Sequence, residues 1–132
     1  MQGAMAFQKG LGCVHSLSHS LGGVDPRLHH GTLNAMFLPG VVAFNAAADS
    51  IKKERRLERM AQVMGLKSAQ DIPAAIKDMN ARLGLPTGLA AMGVRAEQFE
   101  HIVAGALADH CHKTNPRIAS ADEYRGLLDQ AM

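Results

Sequence analysis

A chain of 132 residues is long enough for one domain that buries roughly two-thirds of its unfolded surface. Its net charge of +2 is small and no basic face carries interleaved aromatics, so nucleic acid is not an expected partner. Cys13 and Cys111 are the only cysteines and form no CxxC pair, which fits a reducing, cytoplasmic setting. No apolar run approaches the ~20 residues of a membrane span, and the N-terminus lacks the charged-then-apolar order of a signal peptide. Ala, Leu and Met dominate, with one Tyr, no Trp and few β-branched runs, so the expected fold class is all-α.

The periodicity predicts five or six helices in a single helical domain over residues 1–132. From Gly3 to Gly22, the residues Phe7, Leu11, Val14, Leu17 and Leu21 recur at three- and four-residue steps, the stripe of an amphipathic helix. Gly22 and Gly23 are expected to end it, with a turn at Asp25-Pro26. A second helix is predicted from about Gly31 to Ala47, kinked near Pro39, where proline removes a backbone donor. Asp49-Ser50 should cap a third, which carries the run KKERRLER to Gly65. That run reads as a solvated face with i,i+4 ion pairs.

Ser68 and Asp71 are candidate caps for a fourth helix, with Pro73 in its first turn and Gly84 just past its end. Leu85 to Val94 is a turn-rich connector. A fifth helix is predicted from about Ala96 to His112, buried through Phe99, Ile102, Val103 and Ala106, and broken by Asn115-Pro116. Ser120 and Glu123 form a capping box for a short last helix that buries Leu127 and Leu128.

Four of the seven histidines, His15, His19, His29 and His30, gather around the first helix and the loop after it. Neutral imidazole is a favoured ligand for zinc, iron and related divalent ions. His15 and His19 stand four apart and share a helix face, so they could chelate one ion, although an isolated pair is more often structural. Ser16 follows His15, so the glutamate of an H-E-x-x-H hydrolase is lacking and a zinc protease is excluded. His110 and His112 flank Cys111 but diverge on a helix, so a shared ion there is not expected. The eight methionines read as adaptable core filler. Gly10-Leu11-Gly12 is no nucleotide loop, since no strand precedes it.

The same stretch resembles the metal-binding core of the iron-containing, group III alcohol dehydrogenases. The marks are Gly10-Leu11-Gly12-x-Val14-His15, a second histidine four residues on, Leu21-Gly22-Gly23, then His30-Gly31-x-x-Asn34-Ala35-x-x-Leu38-Pro39 with a trailing Phe44-Asn45. Leu83 to Leu89, Met92-Gly93-Val94 and Thr114-Asn115-Pro116-Arg117 look like the family's later segments, the stretch from Ala108 only loosely. The resemblance covers the whole chain and about the last third of a family member.

It implies a helical bundle like that family's C-terminal metal-binding domain, without the bundle's first helices. It implies that His15 and His30 bind the divalent metal, iron or zinc, while His19 faces nicotinamide and substrate and handles the proton. The family's usual spacing counted from His15 selects His29 instead; anchoring on Gly31-x-x-Asn34-Ala35 selects His30, because loops absorb insertions more readily than helices. In full-length members an aspartate and a further histidine, spaced D-x-x-x-H, complete the site, and the NAD(P)-binding domain lies upstream. Neither feature is found in this chain.

The parent reaction is reversible hydride transfer between NAD(P) and an alcohol or aldehyde. The isolated chain is expected to hold metal weakly and to be inactive. It is also expected to self-associate through Phe7, Leu11 and Val14, or to pair with a separate nucleotide-binding half. The competing reading is a non-enzymatic helical module for self-association or partner binding.

Overall fold

The computed structural model describes Met5 and residues 7–132. Among the described residues there are seven α-helices, joined by 3-10 turns, and no strand. Among the described residues no helix is long and apolar enough to cross a membrane.

The first helix differs from its expected bounds. Met5 and Phe7 are helical, but Gly10 and Gly12 take φ of +95° and +74°, and α1 then runs Cys13–Val24. The left-handed glycines break the stripe because no L-residue with a side chain holds such angles cheaply. At its other end α1 runs through Gly22 and Gly23, which were expected to stop it. The Gly3, Ala4 and Ala6 part of that prediction lies outside the described residues.

Helix α2 (His30–Asn45) continues through Pro39 and buries Leu33, Phe37 and Val41. The predicted third helix is two, α3 (Asp49–Lys53) and α4 (Arg56–Val63). Arg55, at φ +49°, separates them, and the local ion pair is Arg56 with Glu54 at 2.8 Å, not an i,i+4 pair.

Ser68 and Asp71, expected as caps of the fourth helix, form a reciprocal box on a 3-10 turn (Ala69–Asp71) that leads into helix α5 (Ile72–Arg82), and α5 itself has no side-chain cap. Helix α6 (Phe99–Ala108) ends earlier than predicted. Asp109 turns extended, and its Oδ1 accepts from Cys111 N–H at 2.7 Å, capping a separate 3-10 turn, His110–Thr114. A side chain that captures the next backbone donor competes with continuation of the helix. The Ser120–Glu123 capping box opens α7 (Ala121–Ala131).

The main core lies where α1 packs on α2 and α6, closed by α7. Leu17, Leu21, Leu33, Phe37, Phe99, Ile102, Tyr124 and Leu128 are all buried there. At the α1–α6 crossing a Cβ on Gly105 would sit 2.3 Å from Ser20 Oγ, which donates to Ile102 O at 2.8 Å. A smaller cluster of Ala61, Ile72 and Ile76 seats α4 and α5 against Val42 of α2.

Three distant sequence motifs meet at the N-terminus of α1. Asn115 Oδ1 accepts from Cys13 N–H at 3.1 Å and from Asn45 Nδ2 at 3.2 Å, while Asn115 Nδ2 donates to Asn45 Oδ1 at 2.6 Å. A Cβ on Gly12 would fall 2.6 Å from Asn115 Oδ1, so glycine is required there for space as well as for φ. The Arg117 guanidinium lies 4.2 Å from the centre of the Phe44 ring. This knot fixes the start of α1 and therefore the angular setting of its histidines.

Candidate metal centre

Helix α1 presents His15 and His19 one turn apart, and His30 opens α2 directly opposite them. The three rings form a cluster with centroid separations of 5.6 Å (His15–His19), 5.3 Å (His15–His30) and 5.2 Å (His19–His30). His30, not His29, joins this group. His29 is instead the N-cap of α2, where its Nδ1 accepts from Thr32 N–H at 3.4 Å, and it is exposed.

Asn34, one turn into α2, organises the pair. Its Nδ2 lies 3.3 Å from His15 Nε2 and 3.1 Å from His30 Nε2. An amide NH2 carries two donors, so it satisfies both imidazole lone pairs from a single point. Those two lone pairs therefore converge on one position now held by a partial positive charge, a geometry that fits a shared cation. His15 Nδ1 and Asn34 Oδ1 are buried without partners, and unpaired buried polar atoms raise the energy of the arrangement as it stands. Burial lowers the His15 pKa, and the neighbouring His30 and His19 lower it further. His15 therefore stays neutral, with its Nε2 lone pair available at neutral pH. Two imidazoles alone leave a dication uncompensated, and the one carboxylate acting on His15 is Asp109.

Asp109 reaches the cluster through His19, whose Nδ1 lies 3.0 Å from Asp109 Oδ2. Burial by itself would raise the Asp109 carboxyl, but hydrogen bonds from the Cys111 backbone and from His19 outweigh it and hold the pKa below its ordinary value. Asp109 is thus an ionised, acceptor-only group near neutral pH. His19 must donate from Nδ1, which leaves the Nε2 lone pair free to take up a proton. The divergence expected of His110 and His112 is seen. His110 stacks on His19 with centroids 5.9 Å apart, whereas His112 Nδ1 meets Tyr124 Oη at 3.0 Å.

Sequence reasoning used Asn34 only as an anchor and gave Asp109 no role. The signal for Asp109 was the loosely matching segment after Ala108. Its contact with His19, ninety residues away, was invisible to local periodicity.

Residues 1–132 match the Fe-containing alcohol dehydrogenase family, C-terminal. The chain is 58% identical to a 4-hydroxybutyrate dehydrogenase of Cupriavidus necator, over all of this chain and 36% of that protein. It is 34% identical to an NAD-dependent methanol dehydrogenase of Bacillus methanolicus, over all of this chain and 35% of that protein. Among solved structures, a 1,3-propanediol oxidoreductase superposes with a TM-score of 0.76 at 33% identity, covering 92% of this chain and 33% of that one. The alcohol dehydrogenase from Oenococcus oeni gives 0.80 at 28% identity, over 92% of this chain and 33% of that one. The chain spans about a third of the length of the curated relatives it matches. It belongs to the iron-containing alcohol dehydrogenase family and corresponds to that family's all-helical C-terminal domain.

Proposed function

We propose that this chain forms the metal-side wall of an alcohol dehydrogenase active site, with His15 and His30 as ligands of a divalent ion and His19 as the group that handles the proton. The observation that carries this reading is the convergence of His15 Nε2 and His30 Nε2 on the single atom Asn34 Nδ2. When bound, iron or zinc polarises the alcohol oxygen and stabilises the alkoxide, the better hydride donor. Asp109 holds the His19 ring in the orientation and tautomer that leave Nε2 free as a base. Asn34 keeps both ligand rings in register before the ion arrives, and neutral His15 does not have to lose a proton to bind.

NAD(P) serves the whole reaction, reversible alcohol–aldehyde interconversion. Its pyrophosphate needs glycine-rich backbone at a helix N-terminus, which a nucleotide-binding half, either linked to this chain or separate from it, supplies. The cytoplasm is the setting this chemistry fits.

The test uses the purified 132-residue chain with zinc or iron, NAD or NADP and a panel of short alcohols including 4-hydroxybutyrate. Metal binding by calorimetry should be weak and should drop at least about tenfold in His30→Ala, with no turnover in either protein. It should fade at acid pH, where imidazole ligands protonate. Unchanged affinity in His30→Ala overturns the ligand assignment. Turnover by the chain alone overturns its inactivity.

A second reading, a self-associating helical module, draws on Phe7, which is 66% exposed; Leu11 and Val14 are already half-covered. Burying such a side chain contributes about 1.5–3 kcal/mol. Light scattering should then show a dimer that Phe7→Ser weakens, whereas a monomer at high concentration removes this reading.

A further inference from the structure

The 3-10 turn after α6 brings Cys111, which the reading above does not use, beside His19 of α1 and the Asp109 carboxylate, which that reading does use. One ligand atom each from His19, Asp109 and Cys111 lies within 4.8 Å of the other two. We propose that these three residues form a second cation site, distinct from the His15–His30 pair, for a thiophilic divalent ion such as zinc or cobalt(II).

The donor set suits that class of ion. Tetrahedral zinc takes sulfur at about 2.3 Å, imidazole nitrogen at about 2.0–2.1 Å and carboxylate oxygen at about 2.0–2.2 Å, which places ligand atoms roughly 3.2–3.6 Å apart. The His19 Nδ1 to Asp109 Oδ2 edge is already 3.0 Å, so closing the set around an ion takes movements of roughly 1 Å at the remaining edges. Asp109 is preset for this. Its Oδ1 is tied to Cys111 N–H at 2.7 Å, which holds the carboxylate beside its own turn and leaves Oδ2 facing His19.

Access and charge favour the same assignment. Cys111 is 1% exposed, whereas the His19 side chain is about one-third exposed and that of Asp109 is less so. An ion therefore enters past His19, with the sulfur at the inner end. His110 stands at the rim, its Nε2 3.3 Å from Cys111 Sγ, and can supply the fourth ligand. A carboxylate and a thiolate neutralise a dication, whereas His15 and His30 leave its full charge uncompensated. The set with the thiolate therefore compensates the charge of the ion more fully, although burial and Asp109 push the Cys111 thiol up to about 11 and the ion must displace that proton.

Binding is proton-coupled and involves no redox change. The Cys111 S–H proton passes to solvent as the metal–sulfur bond forms. The His19 nitrogen facing Asp109 gives up its proton and the ring carries a proton on its other nitrogen instead, so an ion bound here takes His19 out of the proton-handling role proposed above. Affinity should accordingly rise with pH.

The experiment titrates cobalt(II) into the reduced, metal-free 132-residue chain and reads the thiolate-to-cobalt charge-transfer band in the near ultraviolet. One equivalent should produce the band, and zinc should displace it. Cys111→Ser should abolish it and weaken cobalt binding at least about tenfold. His19→Gln, at a part-exposed position, should do the same, and it decides the matter if Cys111→Ser loses its helical circular dichroism. His15→Ala and His30→Ala should keep the band, so a failure of the first metal assignment leaves this one standing. No band in the parent chain, a band that survives in a folded Cys111→Ser variant or in His19→Gln, or loss of the band in His30→Ala overturns the proposal.

Discussion

Tyr124→Ala is expected to destabilise the domain by about 3–5 kcal/mol in urea unfolding, as for the removal of other large buried aromatic side chains. Tyr124 is wholly buried and is among the largest side chains in the core. It comes from α7 and packs in the cluster that α1, α2 and α6 share. Truncation leaves a cavity bordered by three helices, and cores relax only partly around such a void. It also strips His112 Nδ1 of its 3.0 Å partner. Burial pushes the phenol well above its ordinary pKa, so the hydroxyl is neutral at every pH at which the domain is studied. Tyr124→Phe therefore isolates the hydrogen bond and should cost only about 1 kcal/mol. Domains of this kind are stable by about 5–15 kcal/mol in all, so the alanine variant should unfold at markedly lower urea. A loss below about 1 kcal/mol would show that α7 is not part of the cooperative core.

Asn115→Ala should cost about 2–4 kcal/mol, which is large for a polar side chain, because each buried group left without a partner costs about 1–3 kcal/mol. Four contacts disappear together. Cys13 N–H, in the first turn of α1, loses its acceptor. Asn45 loses both bonds of its exchange with Asn115, and Arg117 O loses a donor at 2.6 Å. Asn45→Ala removes only the exchange and should cost less. Since the knot sets the start of α1, Asn115→Ala should also weaken zinc binding without touching any histidine. Calorimetry on the folded variant checks this, and equal zinc affinity would show that α1 keeps its setting without the knot.

The two variants bear on how sequence motifs should be understood in this family. Gly10-Leu11-Gly12, Phe44-Asn45 and Thr114-Asn115-Pro116-Arg117 were marks of resemblance to which sequence reasoning gave no ligand role. In the structure they hold one another. Gly12 makes room for Asn115, Asn45 exchanges amides with it, and Arg117 covers Phe44 while pairing with Glu123 of α7. Their chemistry is positional.

Much of the architecture was legible from local signals. The helical class followed from composition, and the caps at Ser68 and Asp71 and the Ser120–Glu123 box marked where helical segments start because capping is settled within four residues. Gly84 closed α5 for a similarly local reason: it takes φ +69° just beyond the helix end. Local rules failed where a long-range partner decided. Periodicity carried the first helix through Gly10 and Gly12, whose conformation is set against Thr114 and Asn115 on the far turn. It carried the fifth helix through Asp109, whose carboxylate instead captures Cys111 N–H and His19. The sequence by itself determined which residue types could hold a metal and that His15 and His19 share a helix face. Only the tertiary structure decided that His30 and not His29 meets them, that Asn34 bridges the two Nε2 atoms, and that Asp109 and Cys111 stand beside His19. The reason is physical: spacing within one helix is fixed by its 3.6-residue turn, whereas contacts between α1, α2 and the turn after α6 depend on how whole helices pack.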